Sequence, residues 1–132
     1  MDAEPLTTEP APWQTVFREC IAPRLRREAL VALRDGLASD SSEILQGRTT
    51  RGSKGVDLHA ECLGACPIGY ALWKSMLNLR TVAQVEDAFL DLVTAFPVRL
   101  ADFTTHFVDA VERPVMVREL LAEVEAALGK DS

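Results

Sequence analysis

Along most of this chain apolar residues return every three to four positions, the period of helices that bury one face. From Pro12, Trp13, Val16, Phe17 and Cys20 fall at that spacing, and Pro23 interrupts or restarts the helix. Leu25, Ala29, Leu30, Leu33 and Leu37 then form a broad stripe, with Arg24, Arg27 and Arg34 mostly off it. Ser39 to Gln46 reads as a short helix in which Asp40 is the cap, Glu43 the capping-box partner and Gly47 the stop.

The second half continues in the same period. A helix is expected from Pro67 to about Leu77, with Ile68, Leu72 and Met76 on one face, Trp73 and Leu77 beside them, and Tyr70 pointing elsewhere. Thr81 and Gln84 make a capping box before a helix that turns Val82, Val85, Phe89, Leu92 and Phe96 inward and Glu86, Asp87 and Asp91 outward, until Pro97 ends it. Leu100, Phe103, Phe107 and Val111 line the next helix, with His106 at the margin of its apolar face. The last begins near Pro114, carries Leu120, Leu121, Val124 and Leu128 inward, sets Glu119, Glu123 and Glu125 on its other side, and stops at Gly129. No alternating pattern competes with these periods. The fold expected is all-α, a small irregular bundle of about five to seven helices with Pro and Gly corners.

Composition bounds the picture. The 132 residues, 48% hydrophobic and 26% charged, suit one domain with one core. Residues 1–11 are acidic, rich in proline and without periodicity, so they read as a disordered tail before a single helical domain at 12–132. A net charge of −6 argues against a general nucleic-acid partner, which needs a basic face. No apolar run approaches membrane-spanning length and no signal-peptide pattern opens the chain, so a soluble, cytoplasmic protein without a membrane partner is expected. The charge is uneven: residues 1–56 hold 8 acidic and 8 basic groups, and residues 57–132 hold 12 and 6. That polarity fits a protein partner or a homodimer as well as a solvated acidic face. Trp13, Trp73 and Phe107 are the aromatics expected to leave a face uncovered for self-association.

The stretch Asp57 to Lys74 carries the only concentrated chemistry. His59, Cys62 and Cys66 are spaced i, i+3 and i+7, one face of a helix were it continuous. Pro67 breaks it, so the reading is a helical turn from Leu58 to Leu63 capped by Asp57, a corner at Gly64, and Cys66 as cap of the next helix. A cysteine at a helix N-terminus is expected to have a stabilised thiolate. Cys62 would then be a resolving thiol or a second ligand, and His59 a nitrogen ligand, for zinc or copper(I), with His106 or Cys20 completing the set. The same residues read equally as packing at a crowded corner. The spacing matches neither paired zinc arms nor C-x-x-C.

Gly47 to Gly55, GRTTRGSKG, has three glycines and three cations and reads as part of a flexible loop at 47–56. Its order is not that of a nucleotide-binding loop, which leaves Arg48, Arg51 and Lys54 as candidates for contact with an acidic partner. No Ser-His-Asp set or singled-out carboxylate pair is visible, so enzyme activity is not assigned. Two functions follow: a regulatory or adaptor module that binds another protein, ranked first, and a metal-binding or thiol-redox protein using His59, Cys62 and Cys66.

Overall fold

The computed structural model describes residues 9–55 and 57–129; the first eight residues of the expected tail lie outside it. The elements run α1 (Pro12–Val16), a π turn (Phe17–Ile21) and a 3-10 turn (Ala22–Arg24), α2 (Arg27–Ala38), β1 (Thr50–Gly52), β2 (Cys62–Ala65), α3 (Pro67–Ser75), α4 (Val82–Val93), α5 (Leu100–Phe103), a second π turn (Thr104–Val108) and α6 (Arg113–Gly129). The chain is mostly helical, but the all-α expectation is corrected by a small two-stranded sheet. Among the described residues no helix is long and apolar enough to cross a membrane.

The apolar stripes do close on one another. Ala29, Leu30, Leu33 and Leu37 of α2 are buried, and α2 packs against both α3 and α6. At the other end Trp13 stacks on Phe107 with ring centroids 3.7 Å apart, while Phe103 lies between Trp13, Phe17 and Phe107. Trp13 and Phe107 therefore cover each other inside the core, while Trp73 is half-buried. The capping box of α4 forms as its residues require: Thr81 Oγ1 accepts the Gln84 N–H at 3.2 Å, and Gln84 Oε1 accepts the Thr81 N–H at 3.1 Å.

Several local expectations are corrected. Ser39 to Gln46 is not helical. Asp40 takes a left-handed φ of 51°, and Arg113, from the start of α6, donates to Asp40 Oδ1 (2.9 Å), Ser41 O (2.6 Å) and Ile44 O (2.7 Å). Carbonyls that a helix would have used are satisfied from 69 and 72 residues away in the chain, by a group no local pattern could have named. Ile44 instead bridges Ala65, and the Leu45 N–H donates to Ala65 O at 2.8 Å.

Leu58 to Leu63 is likewise not a helical turn. Asp57 Oδ1 accepts the His59 N–H at 2.9 Å in a tight turn, after which the chain extends into β2. Leu77, expected in the core, is 94% exposed, and Tyr70, expected to point away, is buried.

Tyr70 is held against α2 by a glycine. A Cβ at Gly36 would stand 2.5 Å from Tyr70 Cε2 and 2.7 Å from its hydroxyl oxygen. Gly to Ala in a helix ordinarily gains about 0.5–1 kcal/mol. Here the ring is buried and meets Trp73 edge-on, so it cannot swing clear. Gly36→Ala is expected to destabilise by about 1–3 kcal/mol. Adding Tyr70→Leu should recover part of that loss in thermal unfolding followed by circular dichroism. A melting temperature at or above the parent's in the single variant would show that α2 and α3 have room to separate.

Candidate functional site

β1 and β2 pair antiparallel in the register Thr50 with Ala65, Arg51 with Gly64 and Gly52 with Cys62; a bulge between Arg51 and Gly52 leaves Leu63 without a partner and exposed. The segment from Thr49 to the turn at Ser53 is thus ordered by backbone bonds. The Cys66 N–H donates to Thr49 O at 2.8 Å and the Ser53 N–H to Glu61 O at 2.9 Å. Beneath it, buried Thr50 donates from Oγ1 to Glu86 Oε2 at 2.5 Å, so Glu86, expected to face outward on α4, anchors the sheet instead. Two strands of three and four residues, one reading Cys-Leu-Gly-Ala, are too short and too poor in β-branched residues to raise a period-two signal.

This hairpin carries Arg48, Arg51 and Lys54, all exposed. Among the described residues no carboxylate lies within ion-pair distance of any of them; Arg24, Arg27 and Arg80 share that state, whereas Arg18, Arg34, Lys74, Arg99 and Arg113 are each paired. Arg48 is nevertheless held in place, because its Nε donates to Thr50 O at 2.9 Å.

The thiols are separated. An extended strand advances about 3.3 Å per residue, so the four steps from Cys62 to Cys66 span up to about 13 Å, against the roughly 7 Å Cα limit of a disulfide. Cys62 is buried, donates from Sγ to Gly64 O at 3.3 Å, and lines an open concavity of about 530 Å³ together with His59, Trp73, Leu79 and Arg80. Cys66 lines a different cavity. Cys20 is in the core, and His106 is exposed on the second π turn. Among the described residues no three His, Cys, Asp or Glu side chains are grouped to hold a metal.

Cys66 does cap α3 as its position before Pro67 requires: φ is −60° and ψ 166°, and the Tyr70 N–H donates to Cys66 O at 2.7 Å. The consequence for its acidity is the opposite of the one expected. Burial among apolar neighbours pushes the thiol up from about 9 to about 11, and the opposing hydrogen bonds from the Gly69 and Ile68 N–H groups are outweighed. The residue as a whole is half-buried and lines the cavity, while burial of the thiol itself keeps it protonated. Burial raises Cys62 as well.

The cavity at Cys66 encloses about 280 Å³. Exposed Gly47, Arg48 and Asp109 line it together with buried Ile68, Phe89, Phe103 and Val108, and with Thr49, Pro67 and Leu100. It brings together Arg48 and Cys66, two candidates that sequence reasoning had assigned to different chemistries. Asp109 and the π turn were not foreseen; nothing local marks them. Asp109 Oδ1 accepts the Gly47 N–H at 2.7 Å, and the Gln46 side-chain amide donates to Val108 O and Val111 O, which fastens the base of the hairpin to the π turn.

A second polar feature was also missed. Glu123, expected on the solvent side of α6, is only 7% exposed, and its carboxylate accepts two bonds from Arg18, both 2.8 Å, and one from Gln14 at 3.2 Å. That hydrogen-bonded pairing raises the Arg18 pKa above its ordinary value. The pair borders a groove of about 490 Å³ along Phe17, Pro23, Leu30 and Ala127. No protein-family model, curated protein or solved structure matches the chain.

Proposed function

We propose that this chain is a small binding module of the regulatory or adaptor kind, which recognises an acidic segment of a partner protein through the β1–β2 hairpin. The observation that carries this reading is the set of three cations without ion-pair partners among the described residues, Arg48, Arg51 and Lys54, clustered on a hairpin joined by backbone hydrogen bonds, in a protein of net charge −6. Exposed Leu63 lies in the strand beside the Arg51 pairing and adds an apolar anchor, so the partner segment fits best with carboxylates around one apolar side chain. A preordered hairpin spends less entropy on binding than a free loop. The metal and thiol reading has less support, because Cys62 and Cys66 open to different concavities and both thiols are raised in pKa.

The test uses a synthetic peptide of glutamates around a central leucine, followed by fluorescence anisotropy. Binding should weaken with salt. Joint Arg51→Glu and Lys54→Glu should weaken it about tenfold, because each exposed pair contributes roughly 0.2–1 kcal/mol and reversal adds repulsion. Leu63→Ser should weaken it further, with helical circular dichroism unchanged in every variant. Equal binding by parent and charge-reversed protein would remove the hairpin as the recognition surface.

A further inference from the structure

We infer that the cavity at the base of the hairpin is a binding site for a small apolar monocarboxylate, held by Arg48 at the rim with its hydrocarbon part against Phe89, Leu100 and Phe103. The cavity shares Arg48 with the proposed hairpin surface, whereas Arg51 and Lys54 do not line it, so variants at those two positions separate the readings.

The argument begins with construction. The walls come from α3, α4, α5 and the second π turn, and the rim loop is fastened across them by Gln46 and Asp109. The cavity is therefore largely preformed, and about 280 Å³ lies at the small end of ligand pockets. Its walls are apolar and aromatic, which selects a hydrocarbon or aromatic body. The π turn places Val108 in the wall and widens the helix there, a distortion that recurs at functional sites.

Charge then selects the head group. Arg48 is the one cation among the described lining residues. Its Nε donates to Thr50 O, while its two Nη groups have no protein partner among the described residues and remain as donors for a carboxylate. Asp109 supplies one negative charge at the same rim, with Oδ1 engaged by the Gly47 N–H. A ligand with a single negative charge is tolerated beside it, and a dianion such as phosphate is repelled. The protonated Cys66 thiol adds no further negative charge to the wall.

The experiment titrates phenylacetate and 4-methylpentanoate into the full chain, followed by amide ¹H–¹⁵N shifts. Saturable changes should appear at Gly47–Thr49, at Cys66 and Ile68, and at Thr104–Asp109. Phenylacetamide and inorganic phosphate should bind about tenfold more weakly or worse, because each lacks the single charge that Arg48 pairs. Arg48→Gln, at an exposed position that leaves the core intact, should lose about tenfold in phenylacetate affinity. The same variant should keep the parent's circular dichroism, and joint Arg51→Glu and Lys54→Glu should leave phenylacetate binding unchanged. Bound phenylacetate should also slow alkylation of Cys66. The inference is overturned by no saturable shift with either carboxylate in the millimolar range, by equal affinity in Arg48→Gln, or by shifts that map to the groove beside Glu123.

Discussion

Phe103→Ala is expected to remove about 3–5 kcal/mol of folding stability, the usual cost of truncating a buried phenylalanine. Phe103 is 1% exposed and sits among Trp13, Phe17 and Phe107, so its ring ties α1 and the first π turn to α5 and the second. Collapse around the hole is opposed from two sides. Trp13 is already stacked flat on Phe107 at 3.7 Å, and the rim of the adjoining cavity is fastened by Gln46 and Asp109. Since single domains are stable by only about 5–15 kcal/mol, the variant should approach or cross the point of partial unfolding at ambient temperature. Urea denaturation with Leu77→Ala as control measures it. Leu77 is 94% exposed, so its loss should stay within about 0.5 kcal/mol. A Phe103→Ala loss as small as the control's would mean that the aromatic cluster is not the keystone of this end of the bundle.

The helices were legible because each carries its own evidence in its period. Every inward residue named for α4, from Val82 to Phe96, is buried, and the Thr81–Gln84 box forms. What was illegible depends on residues distant in sequence. The turn after α2 is set by Arg113, and the place of Glu86 is set by a threonine 36 residues earlier. Glu123 is the instructive middle case. Met116, Leu120 and Val124 are buried along α6, and Glu123 lies three residues past Leu120, at the edge of that stripe. Period alone placed it there, but charge argued it outward, and only the opposing Arg18 and Gln14 resolve the conflict.

The candidate site was legible in its parts and not in its assembly. Arg48, Arg51, Lys54 and Cys66 were all named from the sequence. Their grouping depended on recognising strands that leave no periodic trace. The sequence reading placed His59 and Cys62 on a helical turn over 58–63 with Cys66 beyond a corner at Gly64, near enough to share a ligand; an extended β2 sends Cys62 and Cys66 to different concavities. The i, i+3, i+7 argument was sound for a helix and void for a strand.

Cys66 is the position where two physical effects oppose each other most directly, and its reactivity decides which of them wins. The helix N-terminus favours the thiolate, while burial disfavours any charge, and burial prevails with a pKa of about 11. At neutral pH the thiolate population, and with it the rate of iodoacetamide alkylation, should be roughly a hundredfold below that of a cysteine in the unfolded chain, since two pKa units are a factor of 100. The rate should climb with pH until about 11, where the thiol ionises. The same shift acts on stability. Between about 9 and about 11 the folded state retains a proton that the unfolded chain has released, so folding binds protons there and unfolding becomes easier as pH rises. The contribution is complete below about pH 9 and lost as pH passes through about 11. Cys66→Ala should flatten that part of the stability curve, measured by urea midpoints across the alkaline range, and leave the residual slope that Cys62 supplies. Fast, preferential labelling of Cys66 at neutral pH, with no alkaline slope removed by Cys66→Ala, would instead give the helix terminus the upper hand and return the thiol to the list of reactive groups.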